Sequence, residues 1–269
     1  MRVSVVTLSF NQGRFLEQAL TSVIQQRDSD LEYIVVDPGS TDGSREIIAR
    51  YRRFIDHVVL EKDGGPADGL NKGFRLATGE IFGFVNADDY LLPGALATVA
   101  GSFASNPRID VLSGHAIVVD ELGNEINRFY SRRFTPRRYA YGAGTLAQVA
   151  TFFRAPAFRR AGGFNANNRR TWDGELWLDM GLQGSTFGRV NQYLGAFRIH
   201  PNGISGSMRY AAEYERYGEE YFAKVMKRRW SRIDPLIHLL YKGGEYLSDP
   251  RMAAHRLSYG PVIRSRGKR

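Results

Sequence analysis

Val3-Ser4-Val5-Val6-Thr7-Leu8-Ser9-Phe10 runs into Asn11-Gln12-Gly13, and Phe15, Leu16, Ala19, Leu20, Val23 and Ile24 then recur at helical spacing. The first segment reads as a strand, the polar triplet as a turn and helix start, and the apolar positions after it as one helix face. This strand-turn-helix unit repeats along the chain. Tyr33 to Val36 predicts a short buried strand closed by Asp37-Pro38-Gly39-Ser40, Thr41 to Tyr51 a helix, and His57 to Leu60 a strand. Pro66 sits at a helix start, Leu70 to Ala77 continue that helix, and Gly79 is its stop. Ile81 to Val85 predicts the next strand, running into Asn86-Ala87-Asp88-Asp89. Such alternation predicts an α/β fold with βαβ units and a mostly parallel, Rossmann-like sheet flanked by helices. Ligands bind at the carboxyl ends of such strands. Three strands here end in Asn11, Asp37 and Asp88-Asp89, so they share a site if they are neighbours.

Past residue 110 the pattern loosens. Val111 to Val119 and Ile126 to Tyr130 predict a hairpin around Glu121-Leu122-Gly123-Asn124, followed by an arginine-rich stretch from Arg128 to Arg138. Ala150 to Arg154 and Tyr193 to Ile199 read as strands, and Leu176 to Leu182 as a helix. The 269 residues suffice for one sizeable core or a core with an appendage. The absence of cysteine excludes disulfides and thiolate metal sites and fits a reducing, cytoplasmic setting. The opening residues read as a strand rather than a signal peptide, and no apolar run approaches the roughly 20 residues of a membrane span. A chain that is cytoplasmic, or peripheral at the inner face of the membrane, is expected. The net charge of +9 is uneven, because residues 207–269 hold 14 Lys/Arg against 7 Asp/Glu. Within them, Phe222 to Tyr246 interleaves apolar and basic residues. That pattern suits an amphipathic segment on an anionic membrane, reaching from 222 to 269, or helices packed against the body or a second subunit.

Asp88-Asp89 is the sharpest chemical feature. Adjacent carboxylates repel, so they are tolerated cheaply only in solvent or beside a cation. Mg²⁺ and Mn²⁺ favour such oxygen ligands, with substrate phosphates completing the shell. An ordinary acidic turn is the alternative for the pair in isolation. Asp37 offers a carboxylate to a ligand's donors, while Ser40, Thr41 or Asp42 can cap the next helix. Asp173 precedes or opens a helix on the cleft side and is a candidate general base, although a helix N-terminus also favours its charge. His200, after the last strand, is placed to bind a metal or a phosphate.

Together these segments resemble the family-2 glycosyltransferases, whose fold is GT-A. The resemblance rests on Val3 to Asn11, Val35 to Ser44, Leu70-Asn71-Lys72-Gly73, Ala77-Thr78-Gly79-Glu80 and Asn86-Ala87-Asp88-Asp89. It continues through Gln148 to Arg154, Gly162-Gly163-Phe164, Trp172 to Leu178 and Phe197-Arg198-Ile199-His200. It implies a catalytic domain over 1–205, divided into a nucleotide-sugar-binding half (1–110) and an acceptor-binding half (111–205). A basic helical extension occupies 206–269. Thr7, Ser9, Asn11 and Asp37 would hold the nucleotide base, most often uracil. Asn71 and Lys72 would lie near the phosphates and sugar, and Asn86 would belong to the nucleotide-sugar-binding set. Asp88 would contact ribose or sugar, Asp89 would bind Mn²⁺ or Mg²⁺, and His200 would help hold the metal or the diphosphate. Asp173 would be the base, with Glu175 its rival. The reaction implied is inverting transfer from a nucleoside-diphosphate sugar, UDP-linked by preference. The acceptor would be a saccharide or lipid-linked saccharide in surface polysaccharide or glycolipid assembly.

The chain departs from the family pattern at Pro38, where an acidic residue or glycine is usual, and at Leu146-Ala147, which replaces a histidine-containing stretch. Arg229-Trp230 echoes the Gln-x-x-Arg-Trp of processive members, but Met226 stands at the glutamine position. A nucleotidyltransferase is the competing enzyme class, although Asn11-Gln12-Gly13-Arg14 does not resemble its Gly-rich loop. A non-catalytic nucleic-acid or membrane binder would explain the charge but leave the aspartates without a role, so no nucleic-acid partner is expected.

Overall fold

The computed structural model describes residues 1–27, 30–203, 210–260 and 262. The expected boundary at 205/206 and residues 263–269 of the basic extension lie outside the described residues.

Four strands build the parallel part of the sheet: β1 (Val3–Leu8), β2 (Leu31–Val36), β3 (His57–Val59) and β4 (Ile81–Asn86). They lie in the order β3-β2-β1-β4. Leu8 pairs with Val36 on one side and Asn86 on the other, so the β1, β2 and β4 carboxyl ends are level and adjacent. The condition for a shared site is therefore met. β5 (Tyr90–Leu91), β6 (Val111–Val119), β7 (Glu125–Phe129), β8 (Thr151–Arg154) and β9 (Phe187–Arg198) extend the same sheet. β8 joins β4 and β6 antiparallel, β6 and β9 pair parallel, and β5 returns antiparallel on β9. The two expected halves thus share one continuous sheet, parallel in the first and mixed in the second.

Helices α1 (Gly13–Ile24), α2 (Ser44–Tyr51), α3 (Pro66–Leu76) and α4 (Ala95–Ser105) cover the faces. Pro66 opens α3, as its fixed φ and missing N–H favour. Gly73 lets α3 lie directly on the sheet, because a Cβ there would meet Val6 at 2.7 Å. One core packs Leu16, Leu20, Tyr33 and Val99 on one face of the sheet, and the other packs Phe74, Phe82, Phe153 and Trp177 on the opposite face. Burial of this apolar area is the main stabilising term.

The short α5 (Pro136–Ala140) and α6 (Ala155–Arg160) precede α7 (Trp172–Leu182). α7 begins four residues before the apolar pattern signals, because Trp172 packs into the core beside Leu176 and Trp177 and draws its turn into the helix. The extension is helical as expected: α8 (Ala211–Met226), α9 (Asp234–Ser248) and α10 (Pro250–Tyr259). α8 buries Tyr221 and Phe222 against α5 and α7. Among the described residues no helix is long and apolar enough to cross a membrane.

Candidate active site

The loops after β1 and β2 are clasped together. Asn11 takes a left-handed φ of 51°, which brings its Oδ1 to the Thr41 N–H (2.9 Å) while its own N–H donates to Ser40 Oγ (2.8 Å). Gly13 N–H donates to Asp42 (2.8 Å), and the same Asp42 accepts from the Ser44 hydroxyl (2.6 Å). Asp37 sits beneath the clasp, fully buried. Its Oδ1 accepts from the N–H groups of Gly39 (3.1 Å) and Ser40 (2.8 Å), and its Oδ2 from the hydroxyls of Ser9 (3.0 Å) and Ser40 (2.6 Å). Burial alone would raise this carboxyl, but the bonds from Ser40, Gly39 and Ser9 outweigh it and hold it below the usual carboxylate range. Thr7 is also buried and shares a hydrogen bond with the Tyr33 hydroxyl (2.8 Å). Thr7, Ser9 and Asp37 thus shape the floor of the site with side chains already engaged, and Asn11 is the member exposed at its rim.

The two carboxylates after β4 face different ways. Asp88 is part-exposed, and its Oδ2 lies 3.0 Å from His200 Nε2. Asp89 is buried, and its Oδ1 accepts the Arg198 backbone N–H (2.9 Å). Burial first, and the charge of Asp88 second, push the Asp89 carboxyl well above its ordinary range. The Arg198 guanidinium runs under both: Nε donates to the Asp88 carbonyl (2.9 Å), Nη1 to the Asp120 carbonyl (2.9 Å), and Nη2 to Gln18 Oε1 (2.5 Å). The positive charge of Arg198 favours the ionised form of Asp89, but less than burial and Asp88 oppose it, and sequence spacing did not reveal this buried brace. Asn86 bonds Gln148 (3.0 Å), which in turn donates to the Phe84 carbonyl (2.8 Å), so the end of β4 is braced from the second half of the chain.

Asn71 and Lys72 are occupied internally. The Asn71 amide clamps the Phe164 backbone in both directions (2.8 and 3.0 Å), and Lys72 bonds the Lys62 carbonyl and faces Asp68 (3.5 Å). Two neighbours were missed by sequence reasoning. Asp63, in the turn between β3 and α3, has a buried Oδ2 with no hydrogen-bond partner among the described residues, and burial pushes its carboxyl up. Arg169 lies against Gly65, where a methyl group would sit 3.8 Å from its Nε, so the segment leading into α7 meets the β3–α3 turn. The signal available in the sequence was Asp63-Gly64-Gly65 between a strand and the proline that opens a helix.

Asp173 and Glu175 both lie in the first turn of α7 and differ in their partners. Glu175 accepts from Asn165 (3.0 Å) and Asn168 (2.6 Å), bracing the preceding loop. Among the described residues no side chain hydrogen-bonds Asp173, which is part-exposed. Burial by its surroundings raises its carboxyl, against the N–H groups of Gly174 and its own residue. Tyr139, whose hydroxyl rests against Gly174, is itself pushed well above its ordinary range by burial and by the charge of Asp173. A groove of ≈ 1130 Å³ opens beside this turn, between α5, α8 and α9, with Tyr139, Thr171, Tyr214, Tyr217 and Glu219 among its walls.

The sheet topology, with an acidic pair at the carboxyl end of β4, is that of the GT-A fold. The model of glycosyl transferase family 2 matches residues 4–161, and the chain belongs to that family. It is 27% identical to TuaG of Bacillus subtilis (strain 168), a glycosyltransferase proposed for teichuronic acid biosynthesis, over 85% of this chain and 92% of that protein. An uncharacterised glycosyltransferase of Nostoc sp., alr2836, is 31% identical over 46% of this chain, and the match spans only 42% of that protein. Among solved structures, S. aureus TarS 1-349 in complex with UDP-GlcNAc superposes with a TM-score of 0.65 at 20% identity, covering 84% of this chain and 72% of that one. A mannosyltransferase of Pyrobaculum calidifontis in complex with GDP-Man and Mn²⁺ gives 0.64 at 19% identity, covering 98% and 76%. Family membership decides for the transferase over the nucleotidyltransferase and the non-catalytic binder.

Proposed function

We propose that the chain transfers a sugar, with inversion, from a UDP-linked donor to an acceptor hydroxyl in polysaccharide or glycolipid assembly. Asp173 carries this reading: a part-exposed carboxylate in the first turn of α7, with a raised affinity for protons and no side-chain partner among the described residues. An acceptor hydroxyl is a poor nucleophile, and a positioned carboxylate removes its proton as attack occurs. One base serving one in-line displacement inverts the anomeric centre. TarS with UDP-GlcNAc favours uridine, and TuaG favours a surface-polymer acceptor. Proton NMR of the product checks the stereochemistry, and retained donor configuration would refute inversion.

The donor set fits a divalent cation. Asp88 and His200 offer an oxygen and an imidazole nitrogen 3.0 Å apart at the strand end, and among the described residues no three His, Asp or Glu side chains form a closed cage. Such an open pair suits Mn²⁺ or Mg²⁺ whose shell substrate phosphates complete. A bound cation would offset the negative charge that develops on the leaving diphosphate. Asp89, the residue expected to bind metal, is better suited to holding the turn, because its Oδ1 is engaged by Arg198. Asp88→Ala is expected to weaken calorimetric UDP binding at least ~10-fold in Mn²⁺, leaving a residual affinity that chelator no longer changes. Equal UDP affinity of the native protein in Mn²⁺ and in chelator would remove the cation from the mechanism.

A further inference from the structure

The C-terminal helices turn large apolar side chains outward at close spacing, whereas the body exposes such residues singly, as at Phe10 and Leu122. Ile233, Leu236 and Leu240 recur at i, i+3 and i+7 and share one side of α9 and its entry, each more than 60% exposed (64, 63 and 66%). Leu247 further along α9 and Leu257 on α10 are more exposed still, at 86 and 89%. Arg228, just before α9, is spent on Asp234, but Arg229 and Arg232 have no carboxylate partner among the described residues. Three large apolar residues exposed along one side of a helix, with further exposed leucines on α9 and α10, mark a surface that meets something. A second copy of this chain is disfavoured, since Arg229 and Arg232 at the edge of this face would meet their own counterparts across a two-fold contact and oppose like charge. An anionic bilayer meets both features, taking the leucines at the boundary of headgroups and acyl chains and attracting the arginines.

We propose that the outward side of α9, with Arg229 and Arg232 at its entry, is a docking surface for an anionic lipid bilayer. It places this family-2 enzyme at a membrane face, where a lipid-linked acceptor would be presented. The surface stands independently of which sugar nucleotide the active site takes.

The test is co-sedimentation of the full chain with vesicles of phosphatidylcholine alone or mixed with phosphatidylglycerol, at low and high salt. Binding is expected only to the mixed vesicles and to weaken with salt. Leu236→Glu with Leu240→Glu, exposed positions that leave the core intact, is expected to lower it at least ~10-fold, and loss of each arginine roughly fivefold. Circular dichroism and UDP titration of the variants establish that fold and active site persist. Failure of the native chain to bind mixed vesicles at low salt, or equal binding by the leucine variant, overturns the proposal. A stable dimer by light scattering that the leucine variant converts to monomer also overturns it, because a second copy would then own the face.

Discussion

Asp173→Asn is expected to lower kcat by about 10³-fold, inside the range for loss of a positioned general base, while UDP binding is unchanged. The substitution keeps the size and helix position of the side chain and removes only its capacity to take a proton. The same group predicts a pH dependence with a definite sign. Burial raises the Asp173 carboxyl above its ordinary value, and only the ionised form accepts a proton. Activity is therefore full above the raised pKa and falls as pH drops through it, on an acid limb lying higher than an ordinary aspartate would give. A pH–rate profile of the native enzyme measures the limb, and the residual activity of Asp173→Asn should lack it. Glu175→Gln should cost far less, because its carboxylate is engaged by Asn165 and Asn168. A dead Glu175→Gln enzyme beside an active Asp173→Asn enzyme would exchange the two roles.

Arg198→Met is expected to destabilise the fold by about 1–3 kcal/mol, the cost of leaving buried hydrogen-bond acceptors without their donor. Methionine keeps much of the stem volume but leaves the carbonyls of Asp88 and Asp120 and the Gln18 amide oxygen without their donor. It also withdraws the buried cation from beside Asp89, whose carboxyl already resists ionisation. Urea denaturation reads the loss as a lower midpoint with an unchanged slope. A midpoint within experimental error of the native value would mean that the Asp88-Asp89 turn is held by β5 and β9 alone.

The βαβ alternation was legible in the sequence because apolar periodicity and turn chemistry are local properties. The strand-end positions of Asn11, Asp37 and Asp88-Asp89, the helical extension and the opening of α3 at Pro66 follow from the same signals. The family resemblance was legible by the same route, since nine short segments in order are a one-dimensional pattern. Spacing could not say which of two adjacent carboxylates stays part-exposed and which is buried, because neighbours in a turn point apart and their directions are set by what packs behind them. Only the fold turns Asp88 toward His200 and Asp89 toward Arg198, residues more than 100 positions away. Only the fold separates Asp173 from Glu175, through the loop amides that engage one and leave the other. Likewise it makes Asn71 a clamp on Phe164, leaves Asp63 with an unanswered oxygen, and exposes the leucines of α9 that a periodic reading would bury. Composition and periodicity fix which elements form and what chemistry they can carry. Partners distant in the chain fix which groups are spent on structure and which remain free to act.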